Sequence, residues 1–238
     1  MKAREVPEGA GAAVRRVFPT VEQQPMDPFV LLDEFSIKPP AGFPEHPHRG
    51  FEIVTYMLKG GFMHRDSMGN KLTVRDGGVQ RITTGRGIIH AEMPASGEVN
   101  YGLQLWINLP RKLKQIEPDY QVVEGETLPI RHQEGALVRT IIGEDSPVQL
   151  RTPVKYLDVT LDAGCSFTYD LPADFKTLIY LLSGSGKACG EGPWEAGTLL
   201  VLGGDGSVHA CAESQLRFVL LAGKPWLEPI RLHGPFVD

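Results

Sequence analysis

The chain has 238 residues, which is enough for one large domain or two small ones. Hydrophobic residues make up 42% and charged residues 22%, as is usual for a globular protein in water. The formal net charge of -5 lacks the basic excess that neutralises phosphates, so we expect no direct contact with nucleic acid.

Neither a targeting signal nor a membrane span is predicted. No apolar run approaches the roughly 20 residues that a membrane helix needs, and the first residues lack the apolar core of a signal peptide. The three cysteines, Cys165, Cys189 and Cys211, form no CxxC motif. We therefore expect reduced thiols in a cytoplasmic protein with no membrane contact. We also expect the protein to be a monomer.

Many short strands joined by turns are predicted along the chain. The 27 glycines and 19 prolines favour turns over long helices. Segments rich in β-branched, aromatic and aliphatic residues predict strands at Phe51–Leu58, Lys71–Arg75, Val79–Thr83, Leu103–Asn108, Tyr156–Leu161, Thr177–Leu182, Thr198–Leu202 and Leu216–Ala222. One short helix is predicted near Pro110–Ile116. The expected fold class is all-β.

An internal repeat predicts two similar β-domains. Phe51–Gly60 aligns without gaps on Phe175–Gly184, and Gly78–Ala91 aligns in the same order on Gly197–Ala210. The charged stretch 116–133 separates the two copies, so we expect domains at 1–125 and 126–238.

Two histidine-containing triplets predict a metal site in the first copy. In His46-Pro47-His48 and His90-Ala91-Glu92, residues i and i+2 point to one face of a strand. Neighbouring strands would bring together three imidazoles and a carboxylate, a set that suits iron, manganese, nickel or copper. Zinc sites more often include cysteine, and all three cysteines lie in the second copy.

The second copy does not repeat this set. By the gapless alignment, the four residues correspond to Asp170, Pro172, His209 and Cys211, so only one ligand type recurs in place. We expect the second domain to be structural or regulatory, with His209 as a hydrogen-bonded histidine of its barrel.

The motifs of the first copy resemble the pirin family. The resemblance is carried by HPHRGFEIVTY at 46–56, HRDS at 64–67, GRGIIHAEMP at 85–94 and DPFVLLDEF at 27–35. It is looser in the second half, where Glu228-Pro-Ile and Gly234–Val237 are similar to the family's closing segment.

This resemblance implies a bicupin fold, in which two antiparallel cupin (jelly-roll) β-barrels lie face to face. It implies one divalent transition metal, Fe(II) before Mn, Ni, Cu or Zn, held by His46, His48, His90 and Glu92. Many single-domain cupins take their carboxylate from the position of Glu52, which is the backup ligand.

Some bacterial members of the family resemble quercetin dioxygenases, which split a flavonol with O2 and release carbon monoxide. On this reading Glu92 takes the flavonol proton and Glu52 is the other candidate base. Apolar side chains that would wall a flat aromatic substrate are Phe43, Phe51, Tyr56 and Met93, although most of them also fit an ordinary core. His64 either lines the entrance or lies in a solvated turn.

Two other functions remain open. Other pirins resemble regulators in which iron is a redox sensor and the partner is a protein, such as a metabolic enzyme or a transcription factor. The third possibility is a metal-stabilised barrel that acts on a different small molecule.

Overall fold

The computed structural model describes residues 1–188, 190–203 and 206–238. They form two compact units. The N-terminal unit contains residues 4–127, 147–152 and 226–238, and the C-terminal unit contains residues 1–3, 128–146 and 153–225. Residues 226–238, expected in the second domain, thus pack within the N-terminal unit.

The N-terminal unit consists of two main antiparallel sheets. The larger sheet runs in the order β1 (Arg4–Glu8), β2 (Ala12–Phe18), β3 (Phe29–Ile37), β10 (Asn100–Asn108), β5 (Phe51–Lys59), β8 (Val79–Thr83) and β11 (Asp119–Val123). The smaller sheet runs in the order β4 (Phe43–His48), β9 (Ile88–Pro94), β6 (Gly61–Asp66) and β7 (Lys71–Arg75). A two-stranded sheet of β22 (Leu232–His233) and β23 (Phe236–Val237) completes the unit.

The C-terminal unit has the same layered plan. Its larger sheet runs in the order β12 (Ile130–Gln133), β13 (Ala136–Ile142), β14 (Val154–Leu161), β21 (Leu216–Gly223), β16 (Lys176–Ser183) and β19 (Leu199–Leu202). Its smaller sheet runs in the order β15 (Ser166–Asp170), β20 (Ser207–Ala212), β17 (Ser185–Ala188) and β18 (Glu191–Glu195).

The strand order repeats between the units. Without β11, the larger sheet of the N-terminal unit matches that of the C-terminal unit strand for strand, and the smaller sheets match as well. The predicted all-β fold is confirmed. The helix predicted near Pro110–Ile116 is a single 3-10 turn at Arg111–Leu113, and a second turn spans Gly125–Thr127. In the described part of the chain, no helix has the length and apolarity needed to cross a bilayer.

The two units differ in how their interiors are filled. Strand alternation directs Ile53, Thr55 and Met57 of β5 to the same face. Ile53 belongs to one apolar cluster and Met57 to another, so polar Thr55 separates them. The described interior of the C-terminal unit has a continuous apolar cluster instead. Among the residues that the structure describes, the polar layer therefore crosses the N-terminal unit and not the C-terminal one.

Candidate metal centre

Two paired strands place the four predicted ligands on one inward face. Their ligand atoms belong to two groups that share His90: one adds His46 and His48, and the other adds Glu92 and His64. In the β4–β9 ladder His46 lies opposite His90, and alternation adds His48 and Glu92 on the same inward face. His48 is 4% exposed, while His90 and Glu92 are each 1% exposed. His46 is half-buried and is the most accessible of the four.

The imidazole rings of His46, His48 and His90 are close to one another. The Nε2 atoms of His46 and His90 are 3.1 Å apart, and the ring centroids of His48 and His90 are 5.0 Å apart. Ligand atoms of all three residues lie within 4.8 Å of one another. With metal–nitrogen bonds of about 2.1 Å, two ligands at right angles stand about 3 Å apart. The spacing of His46 and His90 fits a shared ion.

Backbone carbonyl groups orient two of these rings. Nδ1 of His46 donates to the carbonyl oxygen of Pro44 at 2.7 Å, and Nδ1 of His48 donates to that of Pro235 at 3.2 Å. With the proton on Nδ1, each Nε2 keeps its lone pair for a metal. Burial, reinforced by His46, lowers the pKa of His48 to about 3, so its ring is neutral. Burial also lowers the pKa of His90.

Glu92 is held from the opposite sheet. Its Oε2 accepts a hydrogen bond from Nε2 of Gln104 at 2.9 Å, and its Oε1 accepts one from Nε2 of Gln80. Oγ1 of Thr55 lies 3.5 Å from the same Oε1. Burial raises the pKa of Glu92 to about 7, and these hydrogen bonds oppose the rise. A bound cation would lower this pKa because it favours the carboxylate.

The sequence suggested that His64 lines an entrance or lies in a solvated turn. The structure places it in neither. It lies on β6 opposite Glu92 and is 2% exposed. Its Nε2 lies 3.0 Å from Oδ2 of Asp66, and its ring stacks on Tyr120 at 4.1 Å. A ligand atom of His64 lies within 4.8 Å of those of His90 and Glu92. His64 is therefore a fifth candidate ligand, signalled in the sequence by the alternation of its strand.

Glu52 does not reach this cluster. Alternation along β5 turns it away from Phe51 and Thr55, whose side chains face the interior. Its carboxylate accepts hydrogen bonds from the backbone N–H groups of Arg151 and Thr152, at 3.0–3.1 Å. The expectation that Glu52 is a backup ligand or catalytic base is wrong on this geometry, because it anchors residues 147–152 instead.

The predicted pocket residues divide into three groups. Phe43 lines the cavity described below, and Phe51 is buried against the ring of His48 at 5.2 Å. Tyr56 lies on the same face of β5 as Glu52, away from the site. Met93 lies opposite Met63, whose side chain is 50% exposed, on the outer face of the smaller sheet. Tyr56 and Met93 are therefore not pocket residues.

A cavity of about 610 Å³ opens onto the candidate ligands. Its size falls in the usual range for small-molecule sites. The lining combines ligand candidates, aromatic walls and an ion pair, and includes His46, His48, Glu92, Gln104, Trp106, Phe35, Phe43, Arg16 and Asp33. The sequence did not single out Gln104, Trp106 or Arg16, because they lie far from the two histidine triplets.

The C-terminal unit fills the equivalent place with apolar side chains. In the larger sheets, the pair Thr55 and Gln80 corresponds to the pair Ile179 and Leu200. In the smaller sheets, the pair His46 and His90 corresponds to the pair Phe167 and Ala210. The same register places Tyr169 at the position of His48 and Ala212 at that of Glu92.

This register corrects the gapless alignment. His209 and Cys211 are exposed, while their neighbours Val208, Ala210 and Ala212 are buried. His209 is therefore outside its barrel, where Nδ1 lies 3.0 Å from Oγ1 of Thr168. The second repeat block therefore aligns one residue further along than the sequence indicated, while the first block keeps its register, and none of the four ligand types recurs.

Comparisons with known proteins agree with this architecture. A family model described as Pirin matches residues 11–107, and one described as Pirin C-terminal cupin domain matches residues 156–238. Pirin-like protein 2 of Arabidopsis thaliana is 48% identical over 97% of this chain and 75% of its own length. Pirin of Homo sapiens is 44% identical over 99% of this chain and 84% of its own length.

Solved structures share the fold. A quercetin 2,3-dioxygenase from Acinetobacter baumannii superposes with a TM-score of 0.91 and 31% identity, over 99% of this chain and 88% of its own. The bacterial pirin YhhW from Escherichia coli, solved with nickel(II), has a TM-score of 0.78 and 22% identity, over 94% of this chain and 95% of its own. At that identity the likeness to YhhW concerns the fold alone.

Proposed function

Because the chain belongs to the pirin family, we propose that it is a metal-dependent dioxygenase that cleaves quercetin-type flavonols, with Fe(II) as its ion. The observation that carries the proposal is the convergence of His46, His48 and Glu92 on a cavity with aromatic walls. The likeness to the Acinetobacter baumannii quercetin 2,3-dioxygenase supports the same reaction class.

The residues present fit a divalent transition metal. Three imidazoles and one carboxylate form a donor set that would leave two positions at an octahedral ion. Nδ1 of His90 is buried without a hydrogen-bond partner among the described residues, which marks an unsatisfied polar group in this cluster. His46, His48, His90 and Glu92 would hold the ion, which supplies Lewis acidity and access to O2 when bound.

The protein's own groups would bind and orient the substrate. The rings of Trp106, Phe35 and Phe43 offer apolar surface to a flat aromatic molecule and keep water from it. Glu92, one of the residues that would hold the ion, is the group that would accept the proton of the substrate's enolic hydroxyl. The amides of Gln80 and Gln104 keep that carboxylate in place.

Anaerobic loading with Fe(II), followed by quercetin and oxygen, tests the proposal. We expect loss of the flavonol absorbance together with release of carbon monoxide. His48→Ala should abolish both signals, whereas His209→Ala, the same change at an exposed histidine of the other unit, should leave them unchanged. Iron-loaded protein that does not consume quercetin would exclude this activity.

A second candidate function is metal-dependent regulation through a protein partner. Strand β9 carries His90 and Glu92 on its inner face, while Ile89 on its outer face is 51% exposed. Met63 on the adjacent strand β6 is 50% exposed. Exposed apolar side chains beside a candidate metal site favour a contact surface that responds to the ion. The regulatory function is supported if quercetin is not consumed while His48→Ala still abolishes a cellular phenotype.

A further inference from the structure

Two glutamines hold Glu92 in a symmetrical arrangement. Each presents its NH2 group to one carboxylate oxygen, Gln80 to Oε1 and Gln104 to Oε2. Each also uses its own amide oxygen as an acceptor: Tyr120 Oη donates to Gln80 Oε1 at 3.1 Å, and Trp106 Nε1 donates to Gln104 Oε1 at 3.2 Å. The indole N–H can only donate, which fixes the orientation of the Gln104 amide.

The glutamines belong to a polar row that crosses four strands of the larger sheet. Asp33 pairs with Gln104, Gln104 with Thr55, and Thr55 with Gln80. Because the side chains of paired residues share a face, this row faces Glu92 across the interior. It is the layer that separates the two apolar clusters of the N-terminal unit.

Comparison with the equivalent positions of the C-terminal unit shows whether this polar row is needed to form the barrel. Its pairing register places Leu220 at the position of Gln104, Ile179 at that of Thr55 and Leu200 at that of Gln80. Ala212 stands at the position of Glu92. The same barrel therefore forms without glutamines where the carboxylate is absent, which indicates that the glutamines serve Glu92 and not the fold.

Trp106 extends this arrangement to the cavity wall. It lines the cavity and packs against His48 at 4.9 Å and Phe51 at 4.3 Å between ring centroids. The indole N–H that a molecule on this wall would contact from the ring side holds Gln104, and Gln104 in turn holds Glu92. Ala222 occupies the corresponding position in the C-terminal unit, so this link is absent there as well.

We propose that Gln104 is a positioning residue that couples Trp106 on the cavity wall to Glu92, so that an aromatic ligand and the metal ion alter each other's affinity. The choice of an aromatic ligand rests on the proposed function. The action of Gln104 on the metal centre does not depend on turnover. By linkage, the ion changes the affinity for the ligand by the same factor as the ligand changes that for the ion.

Titration of the whole chain with Co(II) under anaerobic conditions measures the first step. Competition with a chromophoric chelator gives the Kd, and the visible Co(II) spectrum reports coordination. We expect Gln104→Leu to raise the Kd about 10- to 100-fold, as removal of outer ligand partners commonly does, and to change the spectrum. Gln121→Leu is the matched control because Gln121 donates to the carbonyl oxygen of Pro147, away from Glu92.

Calorimetric titration with flavone measures the coupling. Flavone has the ring system without the 3-hydroxyl group, so it does not chelate the ion as a flavonol does. In the wild-type protein we expect saturating flavone to change the Kd for Co(II) by about 5-fold or more. In Gln104→Leu the factor should fall to about one. Trp106→Phe keeps a ring on the wall but removes the N–H donor, and it should lose most of the coupling.

Several results would overturn the proposal. They are a Co(II) Kd and spectrum unchanged in Gln104→Leu, coupling that persists in that variant, or a wild-type protein that binds neither Co(II) nor flavone. Should Gln104→Leu fail to fold, Trp106→Phe decides, and undiminished coupling there counts against the proposal. A wild-type protein that shows the coupling but leaves quercetin intact would reject the proposed reaction and retain the role of Gln104.

Discussion

Nδ1 of His48 donates a hydrogen bond to the carbonyl oxygen of Pro235, which lies 187 residues further along the chain. The closing segment 234–238 is therefore part of the surroundings of the candidate metal centre. Backbone N–H of Val237 donates to the carbonyl oxygen of Arg49 at 3.0 Å, and the Val237 side chain is fully buried. Nζ of Lys114 donates to the carbonyl oxygen of the same valine at 3.0 Å.

Deletion of residues 234–238 should weaken metal binding, although it removes no candidate ligand. His48 loses the acceptor that fixes its tautomer, and we expect about a 10- to 100-fold rise in the Kd for Co(II). Asp238→Ala is the matched control, because it breaks only the exposed ion pair with Arg49 and should cost at most about 1 kcal/mol. Equal metal affinities in the deletion and control variants would contradict this role of the segment.

Alanine substitutions at His90 and His64 should separate the two overlapping groups of candidate ligands. His90 belongs to both groups, whereas His64 belongs only to the group with Glu92. If the ion lies among His46, His48 and His90, His90→Ala should abolish tight binding and His64→Ala should reduce it only modestly. Metal content after dialysis measures both. Greater loss in His64→Ala would place the ion on the His64 side.

Removal of the metal with a chelator should loosen one unit only. An ion held by His46, His48 and His90 stabilises the N-terminal unit by its binding free energy, so its removal lowers the stability of that unit. The equivalent positions of the C-terminal unit hold Phe167, Tyr169, Ala210 and Ala212, which need no ion. Amide hydrogen exchange with and without metal should show faster exchange in β4 and β9 and no change in β15 and β20. Equal acceleration in both units would show that the effect is not local.

Glu52→Gln should impair stability and spare the site. The replacement amide sets an NH2 donor against the backbone N–H groups of Arg151 and Thr152, so at least one buried donor loses its acceptor. We expect a loss of about 1–3 kcal/mol in the free energy of unfolding, measured with urea. Metal affinity and quercetin consumption per folded molecule should stay at the wild-type level. Normal stability combined with lost activity would restore Glu52 as a catalytic residue.

The sequence predicted much of this architecture because its signals are local. Alternation and turn residues mark the strands, and the spacing of His46 with His48 places both on one face. The misplacement of His209 has a physical reason: moving a strand by one residue exchanges its two faces, and a gapless alignment between divergent copies does not resolve that shift.

Contacts between distant segments were beyond reach of those signals. Gln80, Gln104 and Trp106 surround the candidate ligands only because β5, β8 and β10 are adjacent in the larger sheet. No spacing rule connects Gln104 with Glu92 or Pro235 with His48. The role of Glu52 likewise depends on the path of residues 147–152, whose backbone N–H groups bind its carboxylate. Local sequence patterns do not reveal that path.

The polar row also restricts how this barrel can change in evolution. Gln80, Thr55 and Gln104 lie at one level on three adjacent strands, so inserting or deleting one residue within any of these strands would turn its polar group to the outside. Length changes should therefore accumulate in the connecting turns, while β5, β8 and β10 vary by substitution alone. The described interior of the C-terminal unit is mainly apolar and has wider freedom, because a shifted aliphatic side chain leaves no buried carboxylate without its partners.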